Sequence, residues 1–150
     1  MRAQAAFALV AGLLTRTSTA QTTTSLGELT FGAPQCGDGG LDDINATDCS
    51  TAVSQLLAAH CSAGVCSISA ATGGAQESVI SELVGKCEVI IGAFASGSAV
   101  TFSEDSVHNA FPNFITECVA TSGGFGNPLL LATDGVIRLV LTNGIQGGGG

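Results

Sequence analysis

The chain has 150 residues, four of them basic and twelve acidic, with a formal net charge of −8 and no Trp or Tyr. Such a negative field repels phosphate backbones and anionic lipid surfaces, which excludes nucleic-acid binding as a function class. Without Trp or Tyr, few of the aromatic platforms that line sugar clefts and anchor protein interfaces can be built.

The first element is a targeting segment. Arg2, the uncharged stretch over residues 3–14 and the small residues Ser18 and Ala20 follow the three-part pattern of a secretory signal peptide, residues 1–20, cut after Ala20. The apolar stretch is too short for a hydrocarbon core that takes about 20 residues, so no membrane span is expected. Cleavage removes Arg2 and Arg16 and leaves Lys86 and Arg138 against twelve carboxylates, a net −10 on about 130 residues, the size of one domain.

All six cysteines, Cys36, Cys49, Cys61, Cys66, Cys87 and Cys118, follow the cleavage point, and an even number in an exported chain implies three disulfides. Zinc is not expected, because the C-x4-C pair at Cys61 and Cys66 has no second pair at metal-ligand spacing. Nothing in the chain calls for a cofactor.

Residues 21–35 are Thr-rich and aperiodic, the composition of a flexible N-terminal arm or an edge strand. Next, Asp38, Asp42, Asp43 and Asp48 cluster around the sequon Asn45-Ala46-Thr47, which makes Asn45 the expected glycosylation site. The alternating order of a calcium loop is absent, and acids ahead of an apolar-periodic segment suit a helix N-terminus instead. Over residues 50–60, Val53, Leu56, Leu57 and His60 recur at helical spacing, while over residues 66–71 Cys66, Ile68 and Ala70 alternate as in a half-buried strand ended by Gly73-Gly74.

Over residues 76–94, Ile80, Leu83, Val84, Cys87, Ile91 and Phe94 fall on one helical face, although the β-branched run Val89-Ile90-Ile91 also suits a strand. A strand over 66–71 followed by a helix over 76–87 would rise and return by about the same 17 Å, which favours a Cys66–Cys87 bridge. A strand over 99–102 then leads to a second amphipathic helix opened by Ser103-Glu104-Asp105, with Val107, Phe111, Phe114, Ile115 and Cys118 buried and Pro112 expected to kink or restart it. LVGKC and FITEC close the two helices alike, suggesting two related strand-helix units. Residues 129–132 and 136–141, around Thr133-Asp134-Gly135, read as a β-hairpin, and residues 146–150 form a Gly-rich tail.

Candidate chemistry is sparse. His60 and His108 are the two imidazoles, neither lies in a nucleophile motif, and both fall on helices, so no catalytic residue is assigned. Pairs among twelve acids could cut glycosides, which keeps a small hydrolase as a third reading. The uncharged stretch over residues 89–103 is expected to be mostly core, its sharper reading being an exposed apolar patch for a partner or membrane.

Taken together, the signal peptide, the DCSTAVSQLL helix, the CSIS strand, the SEDSVHNAFPNFITECV helix and the GVIRLVL strand resemble small secreted fungal proteins built like smut-fungus killer toxins, and share part of their pattern with necrosis-inducing effectors. The likeness is best over residues 101–143, where a helix ends at Cys118, Gly126-Asn127-Pro128 follow, and a final strand closes the sheet. It implies a compact α/β sandwich and a non-enzymatic toxin or effector. The killer toxins carry basic surface residues, whereas this chain keeps only Lys86 and Arg138, so no functional residue is carried over. Hydrophobins, with eight cysteines in adjacent pairs, do not fit.

The expected protein is therefore a single α+β domain over residues 36–145, an antiparallel sheet with two to three amphipathic helices packed on it and three disulfides. It is expected to act outside the cell by binding a protein or glycan target, with a glycan-binding or wall-associated module as the alternative.

Overall fold

A computed structural model describes residues 22–36, 44–71, 75–95, 97–120 and 128–144. The signal-peptide segment, Asp38, Asp42, Asp43, Gly73-Gly74, Gly126-Asn127 and the tail over 146–150 lie outside the described residues. In chain order the elements are β1 (Thr23–Gly27), α1 (Ala46–His60), β2 (Cys61–Ser62), β3 (Val65–Ile68), β4 (Ser78–Val84), β5 (Cys87–Ala93), β6 (Ala99–Ser103), α2 (Glu104–Ile115), a π-helical turn (Thr116–Ala120), β7 (Leu129–Leu131) and β8 (Ile137–Thr142).

Two four-stranded sheets result, one ordered β4-β5-β8-β7 and antiparallel throughout, the other β1-β6-β3-β2 with β1 parallel to β6. With two helices and three disulfides, this is the α+β fold expected from the sequence, though the strands are shared between two sheets rather than one. Both helices contribute to one core. Val53, Leu56 and Leu57 of α1 and Val107, Phe111 and Phe114 of α2 are buried in one cluster with Val89 and Ile91 of β5 and Ile137, Leu139 and Leu141 of β8.

α1 starts at Asn45, whose Oδ1 accepts hydrogen bonds from the Thr47 N–H at 2.7 Å and the Asp48 N–H at 3.4 Å, satisfying two of the first-turn donors. α2 runs through Pro112, whose missing N–H withdraws the bond that would reach the His108 carbonyl, and then widens into the π-helical turn. The helix therefore continues past the proline without restarting, and its α-geometry ends three residues later at Ile115.

The expected helix over residues 76–94 is instead the hairpin β4–β5, paired in unbroken register from Ser78 opposite Ala93 to Val84 opposite Cys87. The reason lies in parity. A strand buries alternate residues, and the two-residue turn Gly85-Lys86 shifts that alternation by one, so inward-facing Ile80, Val84, Cys87 and Ile91 fall at spacings of four, three and four, as they would on a helix. Gly85 takes φ +55°, and a Cβ there would lie 2.2 Å from Asp48 Oδ2, which accepts the Lys86 N–H at 3.2 Å. The two related strand-helix units are thus not present, since only the second, β6–α2, has that form.

The favoured Cys66–Cys87 bridge is likewise corrected, because it depended on that helix. Cys87 follows the hairpin turn beside the start of α1 and pairs with Cys49, Cys66 faces Cys61 across β2–β3, and Cys36 reaches Cys118. Residues 22–35 are held at two places. β1 pairs with β6, and residues 30–35 lie along β7, with the Gly32 N–H donating to Leu131 O at 3.0 Å and the Gln35 N–H to Leu129 O at 2.8 Å.

Candidate functional site

The two histidines are placed apart. His60 ends α1 and lines a groove of about 340 Å³ between Ser67, Ser69, Ala70 and Ala71 on one side and Ser78, Val79 and Ile80 on the other. His108 lies exposed on α2 beside a smaller cavity of about 160 Å³, shared with Ser50 and Ser54 of α1. Hydroxyls accompany each imidazole, but among the described residues no carboxylate lines either cavity in the orienting role that nucleophilic catalysis asks of a third group.

Two carboxylates do share a cleft, of about 390 Å³, where Glu28 and Asp105 lie with Leu29, Phe31 and Asn109, and the Ser106 hydroxyl accepts the Leu29 N–H at 2.9 Å. Among the described residues no group of three or more His, Cys, Asp or Glu side chains could hold a metal ion. Of the acidic cluster, only Asp48 is described, and its carboxylate is engaged with the β4–β5 turn.

The sequon asparagine is exposed, and its carbonyl oxygen is the one that caps α1. A glycan would attach to the amide nitrogen, so both uses of Asn45 can coexist.

Among the described residues, four of the five exposed large hydrophobic side chains, Val79, Leu83, Phe94 and Leu131, belong to the outer face of the β4-β5-β8-β7 sheet. Pairing sets Val79, Gly92, Arg138 and Leu131 in one row, and Ser81, Ile90, Val140 and Leu129 in the next. Leu83 and Glu88 follow in a third row with Thr142. Val79, Leu83 and Leu131 are 56%, 52% and 38% exposed, and Ile90, Val140 and Leu129 are half-buried.

An ion pair lies across the first row of this face. Arg138 forms a two-pronged ion pair with Glu77, Nη2 to Oε2 at 2.6 Å and Nε to Oε1, and its guanidinium carbon lies 5.2 Å from the centroid of the exposed Phe94 ring. Gly92 makes room for it, since a Cβ there would fall 2.0 Å from Glu77 Oε1. Of the uncharged stretch over 89–103, Val89, Ile91, Val100 and Phe102 are core, while Ile90 and Phe94 belong to this outer face. Sequence reasoning singled out the stretch but not its partners Val79, Leu83, Leu129, Leu131 and Val140, which become neighbours only through strand pairing.

Among the described residues no helix is long and apolar enough to cross a membrane. Compared with known protein families and with curated proteins, the chain matches none.

Proposed function

We propose that the protein is an exported, non-enzymatic toxin-like or effector-like protein that binds an extracellular target through the outer face of its larger sheet. The observation that carries this reading is the row-by-row set of six aliphatic side chains on that face, all exposed or half-buried. An apolar patch crossed by one ion pair has the make-up of an interaction surface, with apolar contact area and a polar group to set orientation. Three disulfides suit an oxidising compartment, as does the signal-peptide pattern.

The test begins with protein secreted by a eukaryotic host. Peptide mapping without reduction is expected to find a chain starting at Gln21, bridged Cys36–Cys118, Cys49–Cys87 and Cys61–Cys66. That protein should inhibit growth or cause necrosis when applied from outside, and should turn over neither esters nor chromogenic glycosides. Turnover abolished by His60→Ala or Glu28→Gln would make the protein a hydrolase, and specific retention on immobilised glycans, released by free sugar, would make it a lectin.

A further inference from the structure

Each sheet has two edges, and three of the four are protected in ways that strands commonly use against unwanted pairing. β2 is two residues long. β1 is short, rich in Thr and Ser, and shifts register between Ser25 and Gly27. β7 is covered by residues 30–35, which hydrogen-bond along it. β4 has none of these three devices, and its one charged residue, Glu82, alternates onto the half-buried inner side. It is seven residues long and unbulged, it contains neither Pro nor Lys, and among the described residues no strand pairs with its outer edge.

In a two-residue hairpin the residues flanking the turn, here Val84 and Cys87, form a hydrogen-bonded pair, and such pairs alternate along the ladder. Val79, Ser81 and Leu83 therefore direct their main-chain N–H and C=O groups away from β5, and the same three residues have exposed side chains. The first half of this edge borders the groove that it shares with His60, Ser69, Ala70 and Ala71.

We infer that β4 is a homodimerisation edge, pairing antiparallel with β4 of a second copy about a two-fold axis at Ser81. The strand is self-complementary about that point. Ser81 meets Ser81 of the second copy, and Val79 meets Leu83 twice, so all three outward residues exchange main-chain hydrogen bonds while their apolar side chains pair on the outer face. Glu82 falls opposite Ile80 of the second copy, so no carboxylate directly opposes another. The two larger sheets become one of eight strands, with their outer faces continuous. This inference uses the main-chain groups of the edge and stands whether or not the outer face binds a target.

Analytical ultracentrifugation of the wild-type protein from micromolar to near-millimolar concentration tests it. A dimer that dissociates on dilution is expected. Ser81→Pro removes only an outward N–H and should weaken the dimer at least about tenfold with unchanged circular dichroism. Val79→Lys, at an exposed side chain, should do the same without touching the fold. Ser81→Cys should cross-link into a covalent dimer, since hydrogen-bonded antiparallel partners sit about 5.5 Å apart, within disulfide reach. A wild-type monomer throughout the range overturns the inference, as does a dimer that survives both Ser81→Pro and Val79→Lys or fails to cross-link through Ser81→Cys.

Discussion

The two sheets share a core but present different surfaces to solvent. On the smaller sheet the outward rows are Ser25, Thr101 and Ser67, and Thr23 with Ala99, with Val65 at the hairpin end. On the larger sheet six of the corresponding positions are aliphatic, Val79 and Leu83 on β4, Ile90 on β5, Val140 on β8 and Leu129 and Leu131 on β7, beside Ser81, Glu88, Gly92, Arg138 and Thr142. A half-solvated antiparallel sheet ordinarily alternates apolar and polar residues, as the smaller one does. The larger sheet departs from that rule on a face that no helix or strand among the described residues covers, which is why the binding reading rests there.

The contrast can be strained at several points, in descending order of expected effect. Cys36–Cys118 ties the segment that covers β7 to the π-helical turn after α2 across 82 residues, whereas Cys61–Cys66 closes only the smaller sheet's hairpin, five residues apart. By loop entropy the first contributes about 4.5 kcal/mol and the second about 2 kcal/mol. Denaturant unfolding of Cys36→Ala/Cys118→Ala against Cys61→Ala/Cys66→Ala should therefore show the larger loss in the first, and the reverse order would mean that the smaller sheet governs stability.

Next is Leu139→Ala, at a fully buried position on the inner face of β8, expected to cost about 2 to 5 kcal/mol, against less than about 1 kcal/mol for Val140→Ala on the outer face one residue away. Equal losses would show that the outer face is structural core. Asn45→Ala should cost about 1 kcal/mol through the lost helix cap, while Asn45→Asp keeps a capping oxygen and should lose only glycan mass. Gly92→Ala comes last. The added methyl displaces Glu77 from Arg138, and because both side chains are partly exposed the cost should be about 1 kcal/mol or less, read as a small shift in the denaturation midpoint.

Much of the fold was legible where one period dominated. Val53, Leu56 and Leu57 identify α1, the Ser103-Glu104-Asp105 start and the stripe from Val107 to Phe114 identify α2, and Thr133-Asp134-Gly135 marks the final hairpin. The β4–β5 hairpin was not legible as such, because a two-residue turn made an alternating pattern imitate a helical one, and the wrong disulfide followed from the wrong element. Lys86 offered no turn signal, and the open β-branched run Val89-Ile90-Ile91 was the one hint of the true structure. The outer face was hidden for a related reason. Runs such as Leu129-Leu130-Leu131 and Leu139-Val140-Leu141 are apolar at inward and outward positions alike, so no alternation tells the two faces apart, and only strand pairing shows which residues share the outer one.

The most direct test of the binding claim is a matched pair of charge substitutions, one on each outer face, in the growth-inhibition and necrosis assays. Leu131→Lys on the larger sheet and Thr101→Lys on the smaller are both at solvent-facing positions and should each change stability by no more than about 0.5 kcal/mol. The account predicts that Leu131→Lys abolishes activity while Thr101→Lys retains it. Full activity in Leu131→Lys, or loss in Thr101→Lys alone, would contradict the assignment of function to the larger sheet.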